Sequence, residues 1–357
     1  MGEIEEDPVF KDETSQINQN WEVLKAYLKL NGHYLNLSEA PRQFAAGFGN
    51  INYFIKFDGK PAVLRRPPMG LITPGANDML REAKILQALE THFLLAPKCL
   101  FIGRDINVWG VPFLIMEYRP GMIIHSSIPS FINDKEAVAK IVTAELINIL
   151  KNLHAIEPNS IGLENLGRSG NYFARTARGW FKRAEVAWQD EIPKEVSQIK
   201  SWLEKQMPEE QTPVLLHNDF KLDNIIFDPI SFKPSALIDW DLGTRGDALW
   251  DLAVLLSYWA EPGDPDAMLT LRQMPTLEPG FPTRETVIQK YAEETGRKTT
   301  SINVYRVLAQ FRLAVVFQQI FRRYRDSEEV NERASAFDEL SIGLLKFTSG
   351  ISGGDFH

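Results

Sequence analysis

The 357-residue sequence holds one cysteine, Cys99, which excludes an internal disulfide framework and a cysteine-based zinc site. A lone free cysteine reads as a small buried hydrophobe. Positive charge is also short: 39 Lys and Arg stand against 47 Asp and Glu, a net of -8. That is opposite to the basic balance of a nucleic-acid-binding surface. No apolar run reaches the roughly 18 residues of a membrane span. The acidic start "MGEIEEDPVFKDE" does not follow the basic-then-apolar order of a signal peptide. The expectation is a cytoplasmic protein with neither a nucleic-acid nor a membrane partner. What is present, 44% hydrophobic and 24% charged residues, is ordinary globular composition.

The chain changes character once. Trp21 to Leu30 reads as an amphipathic helix. "RQFAAGFGNINYFIKFDGKPAVLRR" reads as strand, Gly-rich turn, strand, Asp58-Gly59 hairpin turn and strand, because apolar residues alternate on both sides of "DGK". "NDMLREAKILQALE" is a helix with Asn77 or Asp78 as its N-cap. "KCLFIGRD" and "VPFLIMEYRPG" are two more strands, stopped by Pro120-Gly121. Beyond that point the pattern is helical: "EAVAKIVTAELINILKNLHAIEP", then Gly179–Asp190, Val196–Gln206, Leu249–Trp259, Arg284–Thr295 and Asn303–Arg325. Residues 1–18 and the Gly/Ser-rich end read as loose termini. These patterns predict an α+β protein with a β-rich N-terminal lobe, residues 1–118, and a helical C-terminal lobe, residues 119–357. A two-lobed arrangement of this kind forms a cleft for small ligands.

Inside the helical part lies "LLHNDFKLDNIIFD", residues 215–228, followed by "ALIDWD", residues 236–241. Apolar strands flank a run of polar residues with no Asn-Gly or Asp-Gly turn, which suits a rigidly held functional loop better than a surface hairpin. Taken in order, the polar features form a series. A Gly-rich turn, Gly47-Phe48-Gly49-Asn50, comes first, then Arg65 on a strand and Glu82 on a helix. His217-x-Asp219-x-x-x-x-Asn224 follows, and Asp239 closes a strand. The series matches the parts of protein-kinase-type phosphoryl transfer. Glycines let backbone N–H groups approach phosphates. Asp219 is placed to accept a hydrogen bond, and then the proton, from a substrate hydroxyl. Asn224 and Asp239 offer hard oxygen ligands suited to Mg2+. Singly, each feature has a bland reading: a turn for Gly47 and Gly49, a surface ion pair for Arg65 and Glu82, solvated loop charges for Lys221 and Asp223. Asp219, Asn224 and Asp239 at this spacing do not.

The stretch "LLHNDFKLDNIIFD…ALIDWDLGTRGDALWDLAVLLSYW" resembles the aminoglycoside phosphotransferase/choline kinase group of small-molecule kinases. Within that group the chain is most similar to the phosphotransferase-like domain of acyl-CoA dehydrogenase family members, through "VLRRPP", "REAKIL", "MEYRPG" and "DLAVLLSYWAEPGDP". The resemblance runs from about Gln43 to Trp259 and implies a protein-kinase-like two-lobe fold. It implies Asp219 as catalytic base, Asn224 and Asp239 as Mg2+ ligands, and an Arg65–Glu82 ion pair over the phosphates of ATP or GTP. It places Glu117, Tyr118 and Arg119 at the hinge beside the base of the nucleotide, and Asp251 as a brace below the catalytic loop. Two features depart from the group's pattern: Arg65 stands where most kinases have lysine, and the glycine loop lacks a serine, leaving Asn50 and Asn52 as side-chain donors. Asp241 fits either a metal contact or a support for one.

The function expected is Mg-dependent transfer of the γ-phosphoryl of ATP or GTP to a small hydroxylated molecule. Two other readings stay open at this level: a nucleotide-binding pseudokinase or scaffold, and an aminoglycoside-type antibiotic kinase. Glu261, Asp264 and Asp266 would suit a polycationic drug. Tyr258, Trp259, Tyr305, Arg312 and Arg322 would suit a hydroxy acid or its thioester.

Overall fold

The computed structural model describes residues 9–45, 49–69, 77–168, 170–189, 191–325 and 332–354. The chain forms two compact units, one of Met1–Ile123, Ile161–Leu163 and Asn224–Gly243, the other of Ile124–Ser160, Glu164–Asp223 and Thr244–His357.

The first unit is built on a six-stranded antiparallel sheet. Its centre is the hairpin of strands Ile51–Phe57 and Lys60–Arg66, paired from Phe57↔Lys60 to Ile51↔Arg66. The connecting Asp58 and Gly59 both take positive φ, 48° and 76°, as the tight two-residue turn between twisted strands demands. Alternation does the rest. Ile51, Tyr53, Ile55 and Phe57 face a core shared with Leu24 and Leu28 of the Trp21–Leu30 helix and with Leu64, Phe113 and Ile115. The Phe113–Glu117 strand lies beside Lys60–Arg66, and Cys99–Gly103 lies beyond it. Helix Met79–Leu89 is capped by Asp78, whose carboxylate accepts from the backbone N–H groups of Leu80 and Arg81 at 3.1 and 3.0 Å. A smaller sheet joins Met122–Ile123, Ile225–Phe227 and Pro234–Leu237.

The second unit is helical, with one short strand pair, Val214–Leu216 against Thr244–Gly246. Every residue of helix Leu249–Ser257 is buried, Asp251 and Ser257 along with the apolar ones. It packs on the long helix Ile302–Arg325, whose Val307, Leu308, Phe311 and Val315 are wholly buried. The structure departs from the sequence reading at the end of the chain. Helix Glu332–Gly353 runs into the Gly/Ser-rich end, which is helical as far as Gly353 and not loose. It packs on Ile302–Arg325 through the stacked rings of Phe317 and Phe337 and a 2.6 Å bond from Ser341 to Gln318. Gly343 there is a packing residue, because a Cβ would come within 2.6 Å of the Ala267 methyl. The overall class is the expected α+β, two-lobe one. No helix among the described residues is long and apolar enough to cross a membrane.

Candidate active site

The loop after strand Val214–Leu216 is held by Asp251. This carboxylate, fully buried in helix Leu249–Ser257, accepts the backbone N–H groups of His217 and Asn218, both at 2.7 Å. Trp250 Nε1 donates to Asn218 Oδ1 at 2.5 Å, and Asn218 takes the left-handed φ of 69° that turns the chain. His154 stands behind the brace, with Nε2 3.4 Å from Asp251 and Nδ1 2.8 Å from the Tyr291 hydroxyl. Asp251→Ala strands two buried N–H groups, each worth about 1–3 kcal/mol. The expected loss of unfolding free energy is on the order of 2–5 kcal/mol, read by denaturant titration. A loss below about 1 kcal/mol would show the brace to be dispensable.

Asp219 projects from this loop. Burial pushes its carboxyl pKa up, but the charges of Lys221 and Arg312, a hydrogen bond from Arg312 and the field of His217 outweigh it. The group is held well below the usual carboxylate range and is ionised at neutral pH. Arg312 Nη2 donates to Asp219 Oδ1 at 2.7 Å, and Lys221 Nζ lies 3.4 Å from Oδ2. An ionised carboxylate so placed can accept a hydrogen bond and a proton from a hydroxyl.

Arg65 organises the first unit's cluster. Its side chain leaves one face of the Lys60–Arg66 strand, and Nε reaches Glu82 Oε2 at 2.8 Å. Nη2 donates to Asp239 Oδ1, and Nη1 lies 3.4 Å from Asn52 Oδ1. Arg65 is 6% exposed. Burial opposes its charge, and Asp239, Glu82 and Asp241 outweigh that and raise its pKa further. Glu82 is fully buried, and burial pushes its carboxyl up to about 7 against the pull of Arg65. Arg66 points the other way, donating to Gln19 Oε1 at 2.6 Å, with its guanidinium 5.5 Å from the Trp109 ring centre.

Asp239 stands just beyond strand Pro234–Leu237 with φ at 70°, and its side chain is 36% exposed. Asp241 is pushed up to about 6 by burial and by Asp239. It accepts from Asn50 Nδ2 at 3.0 Å and from the Asn77 backbone at 3.1 Å, while Asn77 Nδ2 bonds Asn50 Oδ1 at 2.9 Å. Asn224 ends a short 3-10 turn, Leu222–Asn224, and its carbonyl accepts from Ile238 N at 2.9 Å. The candidate metal donors of this unit, Asn224 before strand Ile225–Phe227 and Asp239 and Asp241 after strand Pro234–Leu237, are hard oxygens. That set fits Mg2+, which takes few protein ligands and keeps phosphate oxygens and water.

Gly47 lies outside the described residues. A Cβ at Gly49 would make only an ordinary 3.7 Å contact with Asn77 Nδ2. Glu117 pairs with Arg119 at 2.9 Å, and the Tyr118 ring meets Phe54 edge-on at 5.1 Å. Of the residues read as acceptor lining, Arg312 meets Asp219 directly, and its Nη1 lies 3.4 Å from the Tyr258 hydroxyl. Trp259 donates to Pro282 O, Tyr305 to Asp247 and Arg322 to Val186 O. Glu261 and Asp264 are spent on Arg284, at 3.0 and 2.6 Å. The Asn50–Asp241–Asn77 network and the Arg312–Asp219 pair escape sequence reasoning. The one available signal is a lone arginine inside the apolar run "FRLAVVF".

The chain matches the model of the phosphotransferase enzyme family (APH) over residues 41–285. It is 29% identical over 328 residues to acyl-CoA dehydrogenase family member 10 of Mus musculus, covering 91% of this chain and 30% of that protein. It is 32% identical over 286 residues to member 11 of the same organism, covering 79% of this chain and 36% of that protein. The chain thus spans about a third of these relatives' length. Among solved structures, a Ralstonia eutropha protein provisionally described as an aminoglycoside phosphotransferase shares the fold, with a TM-score of 0.76 and 24% identity over 94% of this chain and 99% of that one. A thermostable mutant of aminoglycoside phosphotransferase APH(4)-Ia, in ternary complex with ADP and hygromycin B, shares it at a TM-score of 0.58 and 14% identity, covering 91% and 97%. The family match covers more than half of the sequence, and the chain belongs to the phosphotransferase enzyme family.

Proposed function

We propose that the protein transfers the γ-phosphoryl of ATP or GTP to a hydroxyl of an anionic small molecule, with a hydroxy acid or its thioester as the acceptor class. The observation that carries this reading is the ionised Asp219 carboxylate, flanked by Lys221 and Arg312 on a loop pinned by Asp251. In the reaction the acceptor oxygen bonds to the γ-phosphorus and the bond to the β–γ bridging oxygen breaks. The hydroxyl proton passes to Asp219, and the nucleoside diphosphate leaves. Arg65, paired with Asp239 and Glu82, is assigned to the phosphates together with Gly47, Gly49 and Asn50, and Glu117–Tyr118 to the adenine or guanine edge. Asn224 and Asp239 would hold Mg2+, which supplies neutralisation of phosphate charge. A fold neighbour that binds ADP supports the nucleotide.

The antibiotic-kinase alternative needs an acidic acceptor pocket. Glu261 and Asp264 are neutralised by buried Arg284, and the groups beside Asp219 are cations, which favours an anionic acceptor. Nucleotide titration tests the metal assignment. Asp239→Ala, which removes a full negative charge, should weaken Mg-ATP binding by at least the ~10–100-fold that even an outer-shell partner costs. Asn224→Ala, which removes a neutral amide, should cost less. Equal affinities for wild type and both variants would contradict the assignment.

A further inference from the structure

Arg312 lies in helix Ile302–Arg325 between core residues Phe311 and Leu313, and is only 5% exposed. A guanidinium in such a place costs several kcal/mol of hydration unless it is paired. Its hydrogen bonds go to Asp219 Oδ1 at 2.7 Å and the Tyr258 hydroxyl at 3.4 Å, and its plane lies 5.7 Å from the Trp180 ring centre. Family membership does not require this pair: the partners are 93 residues apart, and one of them sits beyond the matched segment, which ends at residue 285.

We propose that Arg312 is a positioning residue of the phosphotransferase site, whose guanidinium holds the Asp219 carboxylate in the orientation and charge that receive the acceptor hydroxyl. This rests on the reading of Asp219 as the base. Oδ1 accepts from Arg312, and Oδ2 lies beside Lys221, so both oxygens sit against cations that fix the plane of the carboxylate. The charged and titratable groups around the carboxylate come from four places. Lys221 and His217 lie on its own loop, Tyr258 at the end of helix Leu249–Ser257, and Arg312 on the long helix. Arg183, on helix Tyr172–Ala187, acts on Arg312 through like charge. Without Arg312, burial favours protonation of Asp219 and the opposition of Lys221 and His217 is weaker than that of all three cations. The protonated acid accepts no proton, so the acid limb of activity moves to higher pH.

The test uses the full chain with Mg-ATP and water as the acceptor, together with carbon-13 NMR titration of the aspartate side-chain carboxyls. Arg312→Gln should move the Asp219 titration up by about 1–3 pH units, the span an adjacent opposite charge commands. It should lower the hydrolysis rate by about 10–100-fold near neutral pH, through lost orientation of the carboxylate. Arg312→Lys keeps the charge without the fork: its acid limb should stay in place while the maximal rate falls. Arg306→Gln, another buried arginine of the same helix, should lower thermal stability and leave the Asp219 titration alone. An unmoved Asp219 titration in Arg312→Gln would overturn the proposal. So would a wild-type rate across the pH range in Arg312→Lys, the variant that serves if the glutamine protein does not fold. Absence of nucleotide turnover in the wild type would instead fault the functional reading, while the NMR titration still reports on the pair.

Discussion

Asp219→Asn is expected to abolish phosphoryl transfer while nucleotide affinity stays near that of the wild type. The carboxamide keeps the size of the side chain but accepts no proton, and a positioned general base contributes about 10²–10⁴-fold in rate. Nucleotide affinity is spared because the groups assigned to the phosphates and Mg2+, Arg65, Glu82, Asn224 and Asp239, all belong to the first unit. The substitution has a second consequence. It leaves buried Arg312, and Lys221 beside it, without their anion, and breaking a buried pair by removing one partner costs roughly 3–5 kcal/mol. Rates should therefore be compared at temperatures where both proteins are folded. Steady-state turnover with a confirmed acceptor, beside a Mg-ATP binding isotherm, is the measurement. Retained turnover would remove Asp219 from its role.

The second large effect is expected at Arg65. Its guanidinium touches Glu82 and Asp239, and lies 4.0 Å from Asp241, so one cation balances three carboxylates. Arg65→Ala removes both a charge-assisted contact to the phosphates and the neutraliser of that cluster. The expected loss of transition-state stabilisation is on the order of 2–4 kcal/mol, about 30–1,000-fold in kcat/KM. Glu82, already pushed up to about 7, loses the cation that opposes its burial and should then hold its proton at and above neutral pH. Arg65→Lys restores charge without the planar fork and should recover part of the rate. Arg66→Ala should have far less effect on turnover, since that side chain serves Gln19 and Trp109 on the other face of the strand. A strong loss at Arg66 with none at Arg65 would reverse the assignment of the two faces.

Local signals carried most of the fold. The Asp58-Gly59 turn, the alternation of Ile51–Phe57 and the Asp78 cap are written in adjacent residues, and the elements formed where those residues stand. Arg65 and Glu82, 17 positions apart, were legible as a pair only through their order in a longer series. Glycine and serine content hid the Glu332–Gly353 helix, because a glycine that lets two helices approach looks the same in sequence as one that loosens a tail. Charge composition misled at Glu261 and Asp264: the residue that neutralises them, Arg284, lies twenty or more positions away. Arg312 and Asp219 show the same limit at greater range. Which ions meet depends on how helices pack, and that is not encoded in spacing.

The protein is expected to transfer a phosphoryl group to an anionic hydroxylated molecule with Asp219 as base. A metabolite library incubated with the protein, Mg2+ and ATP or GTP, and read by mass spectrometry, tests it most directly. The expected result is one or a few hydroxy acids or their thioesters gaining a single phosphoryl group with wild-type protein, and none with Asp219→Asn. Phosphorylation confined to polycationic sugars, or bound nucleotide with no acceptor phosphorylated at all, would contradict it.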